Sequence, residues 1–336
     1  MATKLKFGLL LPHFGDQGSI ESCLEGSRKA EEYGFDSVWV RDHLVFEPHG
    51  MEGTDNTHID AFVVLSAIAA ITKNLTLGTG TVISHRHPIN LAQLCSSLSL
   101  LNGGRVIMGI GAGTFQHEFE AAQCASPQCG RPASREQRFA TVRETTEIVR
   151  KLWTGEKIDY QGEFFAFKDV ELKPKPVEPI PVWYGGGTPA SCRRAIEYCD
   201  GWMPGRIPLA TFHKCIKYLH DLADKAGKPM VTTGAIPITS IAKDKDTAVS
   251  KVNAPGLINE GNKKPTWVKP ASGTFSKLED IEGLLLAGTP EDVVKDTRRY
   301  EDGGLDHIVY DLRFRYDDWY EQIDLLGKEV LPAVRA

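Results

Sequence analysis

Gly34-Phe35-Asp36-Ser37-Val38-Trp39-Val40-Arg41-Asp42-His43 decides the fold. A helical pattern ends at Gly34. A short apolar run, Val38 to Val40, then reads as a buried strand, and Arg41, Asp42 and His43 come together where that strand stops. Three ionisable side chains have no packing use at the end of a core strand, whereas in a barrel of parallel strands the C-terminal strand ends face the active site. The same joint returns in Asp302-Gly303-Gly304-Leu305-Asp306-His307-Ile308-Val309-Tyr310 and, more weakly, in Glu197-Tyr198-Cys199-Asp200-Gly201-Trp202. Recurrence of one helix-to-strand joint describes a chain built from repeated βα units.

Working outward, Leu5 to Leu11 is a nearly continuous apolar run of the kind buried on both faces. Ser19 to Tyr33 has helical spacing with a cap at Ser19. Further strands are expected at Leu75–Val82, Arg105–Gly111, Val182–Tyr184, Gly201–Met203, Thr232–Ile241 and His307–Asp311, with amphipathic helices between them. The stretch Gln116–Pro132 reads as irregular, and Tyr160–Phe167 as a short hairpin excursion. Asn253–Ser276, rich in Gly, Pro, Asn and Lys, reads as an inserted loop or lid before the last βα unit. Thr289-Pro290-Glu291 starts a helix with a cap and Pro in its first turn. Eight alternating units in one domain over residues 1–336 predict a (β/α)8 TIM barrel.

The 336 residues suit one such barrel with insertions, and 41% hydrophobic residues supply its core. A net charge of -5 argues against nucleic acid, whose binding depends on clustered Lys and Arg. No signal-peptide pattern follows Met1-Ala2-Thr3-Lys4, and no apolar stretch approaches the roughly 18 residues of a membrane span. Seven scattered cysteines fit a reducing cytoplasm. Cys124 and Cys129 are the closest pair, and no second pair or short-spaced His completes a metal set. A small-molecule substrate is expected.

The chemistry is expected at strand ends. A His can exchange a proton near neutral pH, and a neighbouring carboxylate can orient it, so His43 and Asp42 are the catalytic candidates. As a bare dipeptide they would more readily be a solvated pair; their place after strand two of a barrel reverses that reading. Gly78-Thr79-Gly80-Thr81 offers backbone to a flat ligand, or merely a barrel bend. Gly109-Ile110-Gly111-Ala112-Gly113 begins like a dinucleotide fingerprint but lacks the helix, third Gly and downstream acid in register. Gly185-Gly186-Gly187-Thr188, between a strand and a helix, is either a phosphate site or a flexible turn, and Arg206 past the next strand could add charge-assisted bonds. His13 and Thr114 are the substrate-side candidates.

These motifs, with Leu152-Trp153-Thr154-Gly155-Glu156, Pro174-Lys175-Pro176-Val177, Val182-Trp183-Tyr184-Gly185-Gly186, Gly288-Thr289-Pro290-Glu291-Asp292 and Glu329-Val330-Leu331-Pro332, together resemble the bacterial luciferase-like oxidoreductase superfamily over nearly the whole chain. The resemblance implies a TIM barrel that binds FMN or the deazaflavin coenzyme F420 at the strand C-terminal face. It assigns His43 to catalysis and Asp42 to contact with the ring system. Gly80 and Thr81 match a bulge with a non-prolyl cis peptide behind the ring, and Thr79 and Gly111 are further cofactor-binding candidates. Gly185, Gly186, Gly187 and Arg206 match the phosphate site. In sugar-phosphate dehydrogenases of the deazaflavin branch an acid follows the strand-four glycines; Thr114 stands there instead, which counts against that substrate.

F420-dependent hydride transfer is the main expectation. The rim of Arg41, Asp42, His43, His85, Arg86 and His87 suits the anionic tail of F420, while an FMN monooxygenase must shelter a peroxy adduct in a closed apolar pocket. FMN-dependent monooxygenation is the alternative, and a non-catalytic flavin-binding barrel is the alternative of another class. A homodimer is expected.

Overall fold

Gly34 has a positive φ of +78°, the left-handed conformation that Gly adopts without strain, and it turns the chain out of the Ile20–Glu32 helix. That helix starts where expected, with Ser19 Oγ accepting the Ser22 N–H at 3.0 Å. The computed structural model describes residues 5–48, 50–122 and 134–336. Met1 to Lys4, His49, Cys124, Cys129 and the 123–132 part of the stretch read as irregular lie outside the described residues.

The strands are β1 (Lys6–Leu10), β2 (Ser37–Val40), β3 (Thr76–Thr79), β4 (Val82–Ile83), β5 (Val106–Gly111), β6 (Ile158–Gln161), β7 (Ala166–Val170), β8 (Val182–Gly185), β9 (Gly201–Met203), β10 (Thr232–Ala235), β11 (Ile238–Ile241), β12 (Leu285–Gly288) and β13 (His307–Asp311). The parallel order β1-β2-β3-β5-β8-β9-β10-β13 closes through β13 pairing with β1, in register from Lys6↔His307 to Leu10↔Asp311. This is the expected barrel of eight strands. β6 and β7 form the expected antiparallel hairpin.

Four details depart from the sequence reading. The third strand breaks at the cis Gly80–Thr81 peptide, and β4 continues beyond it against β5. The seventh breaks at Pro237, which has no N–H to donate; β11 then pairs with β12, a strand the sequence reading passed over. Within the supposed loop Asn253–Ser276, Ala254–Asn262 is a helix, with Asn253 Oδ1 accepting the Gly256 N–H at 3.0 Å and Pro255 in its first turn. In the stretch read as irregular, Gln116–Ala121 is also helical.

Period-two alternation divides the core. Phe7, Leu9, Val38 and Val40 pack outward under the helices, while Leu10, Trp39, Ile107, Trp183, Met203 and Val309 fill the barrel. Trp39 and Trp183 lie 5.5 Å apart between ring centres. Glycines face them: a Cβ on Gly8, Gly78 or Gly201 would collide with Trp39 or Trp183. Gly78 is therefore a space-maker for a core ring and not a ligand platform. Truncating either Trp would cost about 3–5 kcal/mol. Below them Ser37 Oγ accepts the Trp39 indole N–H at 2.8 Å and shares a hydrogen bond with His307 Nε2 at 2.7 Å. Burial pushes His307 down to about 4 and keeps it neutral. Among the described residues, no helix is long and apolar enough to cross a membrane.

Candidate active site

A cavity of about 630 Å³ opens at the C-terminal ends of the barrel strands. That volume is ordinary for a small-molecule site. Arg41, Asp42, His43, Gly80, Thr81, Gly111, Thr114, Gly185, Gly186, Gly187 and Arg206 all line it. The structure thus brings most of the expected residues to one place.

The three residues after β2 part company at once. Asp42 is buried, and Arg86 grips its carboxylate with Nε at 2.9 Å and Nη2 at 2.6 Å. The Ile83 N–H adds a longer bond at 3.3 Å, and Arg86 also reaches Asp60 at 2.6 Å. Arg86 is therefore spent on Asp42 and Asp60. It does not line the cavity, and neither do His85 and His87, so the expected cationic rim keeps only its Arg41–Asp42–His43 part.

His43 meets a carboxylate the sequence reading missed. Its Nδ1 lies 3.2 Å from both oxygens of Glu118, which is fully buried. The Glu118 carboxylate also accepts the Leu44 N–H at 2.9 Å and the Val45 N–H at 3.4 Å. Burial raises its pKa, but the bonds to His43 and Leu44 outweigh burial and hold it below the usual carboxylate range. An ionised Glu118 accepts only, so Nδ1 carries the ring proton. On the other side Nε2 faces Arg41 Nη2 at 3.4 Å, which only donates. Both contacts select the same tautomer, assigned from its partners: Nδ1–H, with a lone pair on Nε2.

His13 is not in the cavity. It is fully buried; Nδ1 donates to the Ile59 carbonyl at 3.0 Å and Nε2 accepts the Arg41 N–H at 2.8 Å. Both nitrogens are occupied in bracing the β1 and β2 ends, and burial holds its pKa well below the ordinary value. Thr79 also stays off the cavity wall, donating to the Gly109 carbonyl at 3.0 Å. Thr81 does reach the wall, and Gly111 and Gly185 lack the side chains that would collide with it.

On the β8 side, Gly185 to Thr188 lead into the helix Pro189–Tyr198, whose cap is Thr188 Oγ1, accepting the Ser191 N–H at 3.1 Å. A helix N-terminus edged by Thr188 and Ser191 hydroxyls suits an anion. Gly186 has φ +123°, and a Cβ there would meet Ser191 Oγ at 2.6 Å. Its N–H is already given to the Met203 carbonyl at 3.2 Å, so Gly186 shapes the loop rather than donating into the cavity.

Across the mouth lies a cluster that sequence reading found only through Arg41 and Arg206. Arg41 Nη1 bonds Glu52 at 3.1 Å, and Arg313 bonds Glu52 as well. Arg313 also forks onto Asp311 with Nε at 2.9 Å and Nη2 at 2.6 Å. Arg206 Nη1 approaches Asp311 at 3.5 Å. Arg313 stands two residues after β13, so the strand-end rule that found His43 would have found it. Glu118 lies four residues past Thr114, in the first turn of the helix Gln116–Ala121, and only the fold brings it to His43. Glu52 sits in a loop with no sequence signal.

Comparison with known proteins agrees with this architecture. The luciferase-like monooxygenase family profile matches residues 5–307. An F420-dependent glucose-6-phosphate dehydrogenase of Nakamurella multipartita is 27% identical over 91% of this chain and 90% of the relative. An F420-dependent secondary alcohol dehydrogenase in complex with an F420-acetone adduct superposes with a TM-score of 0.81 at 23% identity, over 99% of this chain and 100% of that one. The oxygenating constituent of 3,6-diketocamphane monooxygenase from Pseudomonas putida, in complex with FMN, gives 0.76 at 19% identity, over 98% and 99%.

Proposed function

The chain belongs to the luciferase-like monooxygenase family, and from that membership and the cavity geometry we propose that it is an F420-dependent oxidoreductase moving a hydride between the deazaflavin and a small organic substrate. The F420-dependent relatives, similar along their whole length, support this reading.

The residues present fit the cofactor. Gly80, Thr81 and Gly111 offer a wall of backbone and small side chains to a planar ring. Gly185 to Thr188, with the helix N-terminus behind them, would hold the phosphate. Bound F420 supplies a two-electron hydride carrier with little tendency to activate oxygen.

One observation carries the chemistry: Glu118 fixes the proton of His43 on Nδ1 and leaves a lone pair on Nε2 in the cavity. His43 Nε2 accepts the proton of a substrate hydroxyl as its carbon is oxidised, displacing the long contact from Arg41. Buried Glu118 then stabilises the imidazolium without taking the proton itself. The wall carries Arg41, Arg206 and Arg313, unlike the apolar shelter that a peroxy adduct needs. A mere binder needs no base, so the non-catalytic reading loses its support.

Equilibrium binding of oxidised F420 and of FMN at matched salt tests the assignment. F420 should bind; tight FMN binding with no F420 binding would overturn it and favour monooxygenation. We also place the enzyme in a reducing cytoplasm, as the buried free thiols Cys23, Cys95, Cys192 and Cys215 support. Exposed Val63, Leu100 and Leu101 support a homodimer, which sedimentation would test.

A further inference from the structure

Arg41, Arg206 and Arg313 share two carboxylates, Glu52 and Asp311. Among the described residues the cluster therefore carries one positive charge in surplus. Arg313 is saturated, with its Nε, Nη1 and Nη2 all on Glu52 or Asp311. Arg41 is held between Glu52 and His43. Arg206 has only the 3.5 Å approach to Asp311, whose oxygens already accept Arg313. Its side chain is 21% exposed, against 8% for Arg41 and 3% for Arg313, and it lines the cavity. Burial, and then the neighbouring Arg313, push the Arg206 guanidinium down to about 10.

The place of the cluster separates it from the glycine loop. Arg41 follows β2 and Arg313 follows β13, which flank β1 on either side; β8, which carries Gly185, lies opposite in the ring of strands. Arg206 leaves β9, but its guanidinium ends beside Asp311 at the end of β13. The expected role of Arg206 on the cofactor phosphate therefore gives way to one on the other side of the mouth.

We propose that Arg206, backed by Arg41 and Arg313, is the subsite for a carboxylate of the substrate. The inference rests on reading the cavity as the active site of an F420-dependent oxidoreductase. A planar guanidinium matches a carboxylate in two parallel bonds. One surplus positive charge is neutralised by one monoanion, whereas a phosphate monoester dianion would leave the cluster negative. The anchored carboxylate places the substrate on the Arg41 side of the cavity, where Arg41 Nη2 already touches His43 Nε2.

The test is calorimetric titration of the full-length protein, with and without F420, using butanoate, butanamide and ethyl phosphate. Butanoate should bind at least about tenfold more tightly than either of the others, as expected for a charge-assisted pair. Arg206→Met should erase that preference and Arg206→Lys should keep part of it, while F420 still binds and so reports an intact fold. Equal binding of butanoate and butanamide by the wild type would overturn the proposal without any variant. So would a preference that survives Arg206→Met, or loss of F420 affinity in place of the butanoate preference. If F420 fails to bind but the Arg206-dependent preference is present, the cofactor assignment falls and the subsite stands.

Discussion

Glu118→Gln removes one charge and almost no volume, so its effect isolates the electrostatic hold on His43. The carboxylate receives His43 Nδ1–H and the Leu44 N–H on its oxygens. Glutamine keeps one acceptor, which can retain Leu44; its NH2 then faces Nδ1–H, donor against donor. The ring escapes by moving its proton to Nε2, where it meets the donor Arg41 Nη2 at 3.4 Å. The shifted tautomer deprives the cavity of the basic lone pair, and the unshifted one leaves it without the carboxylate that stabilises the imidazolium. A hydrogen bond to a charged group contributes about 1.5–3 kcal/mol, and a general base about 10²–10⁴ in rate. Turnover should therefore fall about 10²-fold, at the low end because the imidazole itself remains. Affinity for F420 should change little. Oxidation of a panel of alcohols and hydroxy acids, followed by loss of oxidised-F420 absorbance, gives the rate. Nitrogen NMR of the imidazole gives the tautomer and needs no substrate. A Glu118→Gln protein whose proton stays on Nδ1 and whose turnover stays within a few-fold of wild type refutes the argument; Glu118→Asp, which restores the charge, should recover part of the rate.

His43→Ala should lower turnover by about 10²–10⁴ with cofactor binding largely kept, measured by the same assay and by F420 titration. Gly186→Val forces a branched side chain into φ +123° and onto Ser191 Oγ, so it should weaken F420 affinity while the circular dichroism stays native; calorimetry that finds the affinity unchanged removes the loop from the phosphate site. Stability should depend on acid through His307, which is 5% exposed and whose pKa falls from 6.5 unfolded to about 4 folded. The unfolded chain binds the extra proton, so this contribution is full above pH 6.5 and shrinks as pH drops toward 4. At about 1.4 kcal/mol per unit the loss reaches about 3 kcal/mol, and His307→Gln should flatten urea-unfolding stability across that window.

The barrel was legible because its cues are local. Helix ends at Gly34 and Gly304, caps at Ser19 and Thr289, and short apolar runs each fix one element. The strand-end rule then gathered Arg41 to His43 and Gly185 to Thr188 around one cavity. What stayed hidden depends on partners distant in sequence. Gly78 looked like a ligand platform because nothing local says that Trp39 fills the space above it. His13 looked available, yet Ile59 and Arg41 take both its nitrogens. Asp42 looked like half of a catalytic pair until Arg86, 44 residues on, was seen to hold it. Glu118 lay in a stretch dismissed for its Pro and Cys content, 75 residues from the ring it orients. The helix Ala254–Asn262 was hidden by its own cap, since Asn253 and Pro255 also serve as loop residues.

The aromatic floor of Trp39, Trp183 and His307, with His307 edge-on to both indoles, also governs traffic. With the lower half of the barrel solid, cofactor and substrate share the doorway at the strand ends. A ligand seated on the Arg41–Arg313 side stands beside the path by which the cofactor leaves. An excess of substrate should therefore slow cofactor exchange through that shared doorway, which stopped-flow release of F420 at rising substrate concentration would check.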